Sequence, residues 1–280
     1  MSVCLLLAAG GGTVSMLVPW RSAIAPAPGG AKQALHDVLD QLAWSDDACA
    51  DIALLSVPPT HADNLEELSA DAGRAVSARL LIGIVGSGVI GDGAELERVE
   101  EPGMSLLAGC LPPGTRATPF VVGDAFPNWS AILETPDARP EDADEPPPPR
   151  PAFLLFADPS AAVTQIAALL NDLSPGACVA GGLSCPPSAA ASSIALYEQT
   201  AGAETCRALP VGSLAGVHLR GPRFAMHCVT AQGAAPVGPS FQVTAGGGAF
   251  SGNLVTTLDG RPAMEVLQEL AAPDEDARIV

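Results

Sequence analysis

Three glycine-rich turns carry the groups with the most scope for chemistry in this 280-residue chain. They are residues 86–93 (GSGVIGDG), 181–184 (GGLS) and 232–238 (QGAAPVG), and each follows a strand-like apolar run. Because glycine has no side chain, such turns expose main-chain N–H groups that can bind a carboxylate or an amide. We predict that the three turns line one polar cleft for a small ligand. The alternative is that their glycines only permit tight turns.

The predicted cleft takes its positive charge from arginines close to the third turn. Arg220 and Arg223 are the expected charge partners of a ligand carboxylate. The complete set of predicted ligand-binding residues is Gly86, Ser87, Gly88, Gly91, Gly181, Gly182, Ser184, Arg220, Arg223, Gln232 and Gly233.

Residues 86–91 match the GxGxxG pattern of dinucleotide-binding sites, but the residues after them do not fit such a site. There, a helix begins at the glycines and its N-terminal N–H groups bind the pyrophosphate. Residues 94–100 (AELERVE) alternate with a period of two, which predicts an edge strand, and their carboxylates repel phosphate. The only lysine, Lys32, lies in a predicted helix, so a standard phosphate-binding loop is excluded. We predict no cofactor.

Candidate nucleophiles occupy the first two turns. A nucleophile elbow needs glycines two residues on either side of its serine, whereas Val85 and Val89 hold those positions around Ser87. Ser184 and Cys185 follow the second pair of glycines, and Cys185 could meet His218 or His227 as a base in the folded chain. We predict no catalysis; a hydrolase or transferase that uses Cys185 or Ser184 is the third choice of function.

Histidine and cysteine are scattered in a way that favours neither a metal site nor disulfides. His227 and Cys228 are adjacent, so in a strand they point to opposite faces. None of the 7 cysteines forms a CxxC pair, and most lie in apolar runs. This pattern predicts reduced, buried thiols and no metal.

The chain is strongly acidic, with 31 Asp and Glu against 13 Lys and Arg and a net charge of −18. That charge excludes nucleic acid and anionic lipid as partners. A hydrophobic content of 48% excludes disorder of the whole chain. Runs such as residues 80–85 are far shorter than the roughly 20 apolar residues of a membrane span. We expect a cytoplasmic protein, or a plastid or other organellar one if residues 1–30 are a transit peptide.

Hydrophobic periodicity predicts an α/β fold with a mixed sheet. Helices at 31–43 and 64–76 alternate with buried strands at 52–57 and 80–85, and residues 103–111 and 115–122 suggest a strand pair. After an acidic, proline-rich stretch the pattern restarts with a strand at 152–157, a helix from Ser160 as N-cap to Leu173, and a strand at 177–180. A last helix is expected at 263–270.

The restart indicates two pseudo-repeated β-α-β-rich halves that share or face sheets and are flanked by helices. The predicted organisation is an N-terminal extension (1–19), a first half (20–135), a linker (136–150) and a second half (151–280).

The order of these segments over residues 20–270 resembles the FIST domain, a sensory module named for F-box and intracellular signal transduction proteins. The resemblance is carried by LLIGIVGSGVIGDGAELE at 80–97, the paired glycines at 181–182, QGAAPVGP at 232–239 and LDGRPA at 258–263. Two features depart from the family pattern. Ala234 stands where the family often has cysteine, and the family's C-terminal region is expected to continue beyond residue 270.

Resemblance to the FIST domain implies non-catalytic sensing of a small ligand, such as an amino acid or a related metabolite, in intracellular signalling. The alternative that it implies is a protein-interaction module linked to an SCF-type ubiquitin ligase, with SCF components or a second copy of the chain as partner. No F-box-like helical segment precedes the domain in this sequence.

Overall fold

The computed structural model describes residues 3–9, 20–45, 47–97, 102–123, 127–133, 150–222, 224–230, 238–246 and 254–271. Two compact units divide the chain, Ser2–Thr230 and Ala231–Val280. Of the predicted linker at 136–150, only Arg150 is among the described residues. The predicted domain boundaries stay predictions.

The larger unit contains fourteen strands and four α-helices among its described residues. Its strands are β1 (Val3–Ala9), β2 (Trp20–Pro26), β3 (Ile52–Val57), β4 (Leu80–Val85), β5 (Val89–Gly91), β6 (Ala94–Leu96), β7 (Gly103–Gly109), β8 (Arg116–Val122), β9 (Ala152–Ala157), β10 (Cys178–Leu183), β11 (Ile194–Thr200), β12 (Ala203–Ala208), β13 (Leu214–Arg220) and β14 (Phe224–Thr230). Its helices are α1 (Ala31–Leu42), α2 (Leu65–Ala75), α3 (Trp129–Leu133) and α4 (Val163–Leu173), with a 3₁₀ helix at Pro59–Asn64.

Two sheets form the framework of this unit. The six-stranded sheet has the order β12-β11-β4-β3-β7-β2, and the four-stranded sheet has the order β10-β9-β13-β8. Within them, β3 pairs with β4 and β9 pairs with β10 in parallel, while the other neighbours are antiparallel. The predicted mixed α/β fold with facing sheets is confirmed. Strands β11 and β12 join the sheet of the first half, and β8 joins the sheet of the second.

The strand pair predicted from residues 103–111 and 115–122 is wrong. Strand β7 pairs with β2 and β3, whereas β8 pairs with β13 in the other sheet. Between them lie Pro112 and Pro113, which lack N–H groups and have fixed φ angles. The chain turns there, with the N–H of Thr115 donating to the carbonyl of Pro112 at 3.0 Å, but it crosses from one sheet to the other and closes no hairpin.

Three apolar clusters show how the layers stack. The first fills the space between α1, α2 and the six-stranded sheet, with Val38, Leu55 and Leu68 fully buried. The second lies between the two sheets and includes Ile82 and Val217. The third packs α4 on the outer face of the four-stranded sheet and is lined by residues such as Phe153, Leu155, Ile166 and Leu170. The unit thus has helix, sheet, sheet and helix layers, because alternate residues of each buried strand point to opposite faces.

The contact between α2 and β11 yields a first testable prediction. A Cβ on Gly73 would lie 2.7 Å from the ring of Tyr197, so only glycine lets the ring approach the helix. The Tyr197 hydroxyl is buried and has no hydrogen-bond partner in the described part of the chain, and burial raises its pKa. Because an unpaired buried hydroxyl is costly, Tyr197→Phe should raise the free energy of unfolding by about 1 kcal/mol. Urea denaturation measures this change, and a loss of stability would contradict it.

The smaller unit consists of a short antiparallel sheet and one helix in its described part. Its strands are β15 (Val243–Gly246), β16 (Val255–Leu258) and β17 (Arg261–Pro262), in the order β15-β16-β17, and its helix is α5 (Ala263–Ala271). The helix predicted at 263–270 is confirmed. Among the helices that the structure describes in either unit, none combines the length and the apolar character needed to cross a bilayer.

Candidate functional site

The carboxyl ends of the parallel strands meet at one edge of the larger unit. The N–H of Cys185, just after β10, donates to the carbonyl of Val85 at the end of β4 over 2.8 Å. The N–H of Gly86 in turn donates to Val57 at the end of β3 over 2.9 Å. The first two glycine-rich turns are therefore neighbours. Ligands of open α/β sheets bind outside the carboxyl ends of such strands.

A group of polar side chains, here called the strand-end cluster, lies at this edge. It consists of Asp158 and Ser160 after β9, Ser184 after β10, Ser193 before β11 and Ser213 before β13. All except Ser160 are buried, with at most 7% of each residue exposed. Residues next to five strands of the two sheets are thus brought together, counting Val85 of β4.

Asp158 is the centre of the strand-end cluster. Its Oδ1 accepts hydrogen bonds from the N–H of Ser160 at 2.9 Å and from the hydroxyl of Ser160 at 2.5 Å. Its Oδ2 accepts one from the hydroxyl of Ser193 at 3.0 Å. The main-chain N–H of Asp158 donates to the carbonyl of Ser213 at 3.0 Å. Through its carboxylate and its main-chain N–H, Asp158 therefore connects the ends of β9, β11 and β13.

These hydrogen bonds decide the charge of Asp158. Burial alone would raise the pKa of Asp158, but the hydrogen bonds from Ser160, Ser193 and the main-chain N–H of Gly212 outweigh it. The pKa of Asp158 therefore lies below its ordinary value, because each donor favours the charged form. The site holds a carboxylate at neutral pH that is stabilised by dipoles.

Ser184 extends the cluster toward the second turn. Its hydroxyl lies 2.7 Å from that of Ser193 and donates to the carbonyl of Ala157 at 3.2 Å. Its N–H donates to the same carbonyl at 2.9 Å. The end of β10 is thereby fixed to the end of β9 at the place where the sequence predicts a ligand contact.

A family model of the FIST N domain matches residues 51–261 of the chain. The chain belongs to the FIST family. The match includes every residue of the strand-end cluster. FIST is a signalling domain, which agrees with the expected sensory role. Among curated proteins, none matches the chain.

In the described part of this FIST domain, no hydrogen bond joins a histidine to the candidate nucleophiles Ser87, Ser184 and Cys185. The Nδ1 of His218 donates to the carbonyl of Ile132 at 3.0 Å, and its ring stacks on Phe153. Burial lowers the pKa of His218. His227 lies on the strand β14, opposite Leu6 of β1. A general base must reach the proton that it removes, and no hydrogen bond in the described part of the chain joins a histidine to Cys185.

The first glycine-rich turn combines an exposed tip with a packed remainder. Ser87 and Gly88 are exposed, whereas a Cβ on Gly86 would lie 2.6 Å from the hydroxyl of Ser56. Gly91 is buried against β2, and its Cβ would lie 3.1 Å from the carbonyl of Ala23. Strand β5 lies within the predicted turn and β6 follows it. The strand predicted at 94–100 is confirmed for Ala94–Leu96, Glu97 lies outside the strand, and residues 98–100 are not among the described residues.

The turn predicted at 181–184 is wrong for its first three residues, because Gly181, Gly182 and Leu183 belong to β10 and pair with β9. The two glycines have different surroundings. Gly181 has a φ of 149°, and a Cβ there would lie 1.7 Å from the carbonyl oxygen of Leu155 on β9. Gly182 is exposed, and a Cβ there would meet no atom within 4 Å. Gly181 is required by the close approach of two strands, whereas Gly182 leaves open space beside the main chain.

One of the two predicted charge partners, Arg220, does not lie at this edge. Strand β13 runs antiparallel to β9, with Leu214 opposite Ala157 and Leu219 opposite Ala152. Arg220, at the far end of β13, is therefore roughly 20 Å from the strand ends at about 3.3 Å per residue. Its register partner is Arg116. Arg223, Gln232 and Gly233 lie outside the described residues, as does the third turn except for Gly238.

Most of the strand-end cluster was not predicted from the sequence. Ser160 was expected to cap a helix, but α4 begins at Val163 and the hydroxyl of Ser160 donates to Asp158 instead. Ser193 and Ser213 carry no motif. The sequence does contain a signal for this cluster. Each of its residues lies just after or just before an apolar strand, at the edge of the sheets where the parallel strands end.

The expectation of buried thiols is wrong for the described cysteines. Cys49, Cys185 and Cys228 are exposed, and the half-buried ones are Cys110, Cys178 and Cys206. They lie at the ends of strands or on strands at the margins of sheets, where an apolar run does not ensure burial. Across the described ranges, His, Cys, Asp and Glu form no group of three or more that could hold a metal ion.

Proposed function

We propose that this FIST domain is a small-ligand sensing module whose ligand, an amino acid or a related zwitterionic metabolite, binds at the ends of β4 and β10. The observation that carries the proposal is the hydrogen bond from Cys185 N–H to Val85, which sets the first two glycine-rich turns side by side. Exposed Ser87, Gly88 and Gly182 leave main-chain and hydroxyl groups accessible there. A ligand carboxylate would bind main-chain donors of the two turns.

The buried strand-end cluster would hold in place the main chain that forms the site. The carboxylate of Asp158 already accepts hydrogen bonds from Ser160, Ser193 and Gly212, which hold the loops in place. It would therefore act on a ligand through its negative charge and not through a direct contact. That negative charge attracts the ammonium group of an amino acid. With Arg220 at the other end of β13, the ligand carboxylate depends on N–H groups of the turns.

Thermal unfolding with a panel of amino acids and related metabolites tests this proposal. A ligand at a hundredfold excess over its Kd should stabilise the protein by about 2.7 kcal/mol, a rise in Tm of roughly 5–10 °C. Ser87→Trp should abolish this rise and leave the unliganded Tm unchanged, since Ser87 is exposed.

The matched control is Thr205→Trp on the exposed strand β12, which should keep the full thermal response. If no compound raises the Tm of the wild-type protein, or if both tryptophan variants respond like it, the proposed site is contradicted.

An exposed apolar groove in the smaller unit favours a second candidate function, that of a protein-interaction module linked to an SCF-type ligase. The groove has a volume of about 530 Å³ and is lined by Val255, Thr256, Leu258, Pro262, Ala263, Met264 and Leu267. Contiguous exposed apolar surface of this kind is typical of protein contacts.

Titration of a purified SCF adaptor complex would detect binding, which Leu267→Asp should abolish and exposed Gln268→Asp should not. No binding by the wild-type protein contradicts this candidate.

A further inference from the structure

Two cysteines fifty residues apart in sequence have their sulfur atoms in contact. Cys178 is the first residue of β10, the edge strand of the four-stranded sheet, and Cys228 lies on β14. The two Sγ atoms are 2.9 Å apart, and the Cys228 thiol also donates to the carbonyl of Val179 at 3.4 Å. Strands β10 and β14 are thus fastened side by side through these two side chains.

We propose that Cys178 and Cys228 form a disulfide bond when the protein meets a hydroperoxide, so that this thiol pair is a site of reversible covalent modification. A disulfide has an S–S length of about 2.05 Å, so the sulfur atoms must approach by only ~0.9 Å. Cys228 is exposed and Cys178 is half-buried, which gives a small oxidant access. The inference does not depend on the ligand site.

The reaction needs one hydroperoxide for each pair. One of the two cysteines loses its thiol proton and its thiolate attacks the peroxide oxygen, so that the O–O bond breaks and a sulfenic acid and hydroxide form. The sulfur of the other cysteine then attacks the sulfenic sulfur, an S–S bond forms, and the OH group leaves as water with the thiol proton of that second cysteine. The two thiols lose two electrons in total, and hydrogen peroxide is reduced to two molecules of water.

The position of the two sulfur atoms distinguishes this pair from the other neighbouring cysteines. The Sγ atoms of Cys178 and Cys228 face each other directly at 2.9 Å. Cys110 and Cys49 are also neighbours, but there the Cys110 thiol donates to the Cys49 carbonyl at 3.3 Å. The geometry thus favours oxidation of the pair Cys178 and Cys228.

The consequence is a covalent tie at an edge strand. Unpaired edges of sheets invite association with other chains, and proteins protect them. A disulfide would hold β14, the last strand of the larger unit, against β10. By restricting the unfolded chain it should also raise the Tm by roughly 5–15 °C.

Titration of free thiols before and after treatment with hydrogen peroxide tests the inference. The 7 thiols of the wild-type sequence should fall by two, the peptide masses should show a bond between 178 and 228, and dithiothreitol should reverse both changes together with the rise in Tm. Cys178→Ser and Cys228→Ser should each abolish the crosslink, and the control Cys206→Ser should keep it.

An unchanged thiol count, a crosslink between other cysteines, or oxidation that stops at sulfenic acid would overturn the inference. Thiol counting uses no ligand, so its outcome is independent of the thermal-shift panel.

Discussion

Gly181→Ala should lower the free energy of unfolding by roughly 3–5 kcal/mol. Gly181 has a φ of 149°, a conformation that side-chain-bearing residues rarely adopt, and the new Cβ would lie 1.7 Å from the carbonyl oxygen of Leu155. That oxygen belongs to the paired strand β9, so relief requires the main chain to move. Chemical denaturation followed by circular dichroism measures the loss.

Gly182→Ala is the matched control for this prediction. A Cβ on Gly182 meets no atom within 4 Å, so the free energy of unfolding should change by less than about 1 kcal/mol. Similar losses for the two variants would contradict the structure of β10. If Gly182→Ala keeps its stability but no longer responds to the ligand, the glycine serves binding and Gly181 serves packing.

Asp158→Asn should destabilise the protein by about 2–4 kcal/mol at neutral pH. The substitution removes the charge that strengthens the hydrogen bonds from Ser160 and Ser193, and it turns an amide NH₂ toward groups that are themselves donors. Asp172→Asn is the control, because Asp172 is exposed on α4 and should change stability by less than about 0.5 kcal/mol. Urea denaturation of the three proteins at pH 7 provides the comparison.

The effect of Asp158→Asn should depend on pH in a defined direction. The pKa of Asp158 is lower in the folded than in the unfolded protein, where it is about 3.9. Its stabilising contribution is therefore complete above about pH 4 and is lost as the pH falls through the folded-state pKa. The difference between wild type and Asp158→Asn should shrink below pH 4. A difference that is constant down to pH 3, or that grows there, would contradict the charged state assigned to Asp158.

The layers of the fold could be predicted from sequence because they depend on local patterns. Helix α1 and strands β4 and β9 follow directly from the spacing of their apolar residues. The partners of β7 and β8 could not be predicted, because the choice between a hairpin and two separate sheets depends on long-range packing. The positions of β11 beside β4 and of β12 beside β11 have the same cause.

The part of the candidate site that depends on local sequence patterns could also be predicted. Glycines after a buried strand placed the turn that begins at Gly86 correctly at the end of β4, but β10 continues through Gly181 and Gly182 to Leu183, so only Ser184 of the second predicted turn lies beyond a strand. The direction of β13, which takes Arg220 to the far end, carries no local signal. Asp158 also resembles an ordinary helix-start residue until the hydroxyl of Ser193, distant in sequence, is placed beside it. The contact of Cys178 with Cys228 is likewise a product of tertiary structure.

Hydrogen–deuterium exchange read by mass spectrometry, with and without a saturating mixture of amino acids, asks most directly whether a metabolite occupies the ends of β4 and β10. Exchange should slow in peptides that cover residues 83–93 and 181–188 and stay unchanged in those that cover 254–271. Protection confined to 254–271, or unchanged exchange at both strand ends, would contradict a ligand-sensing role for this edge.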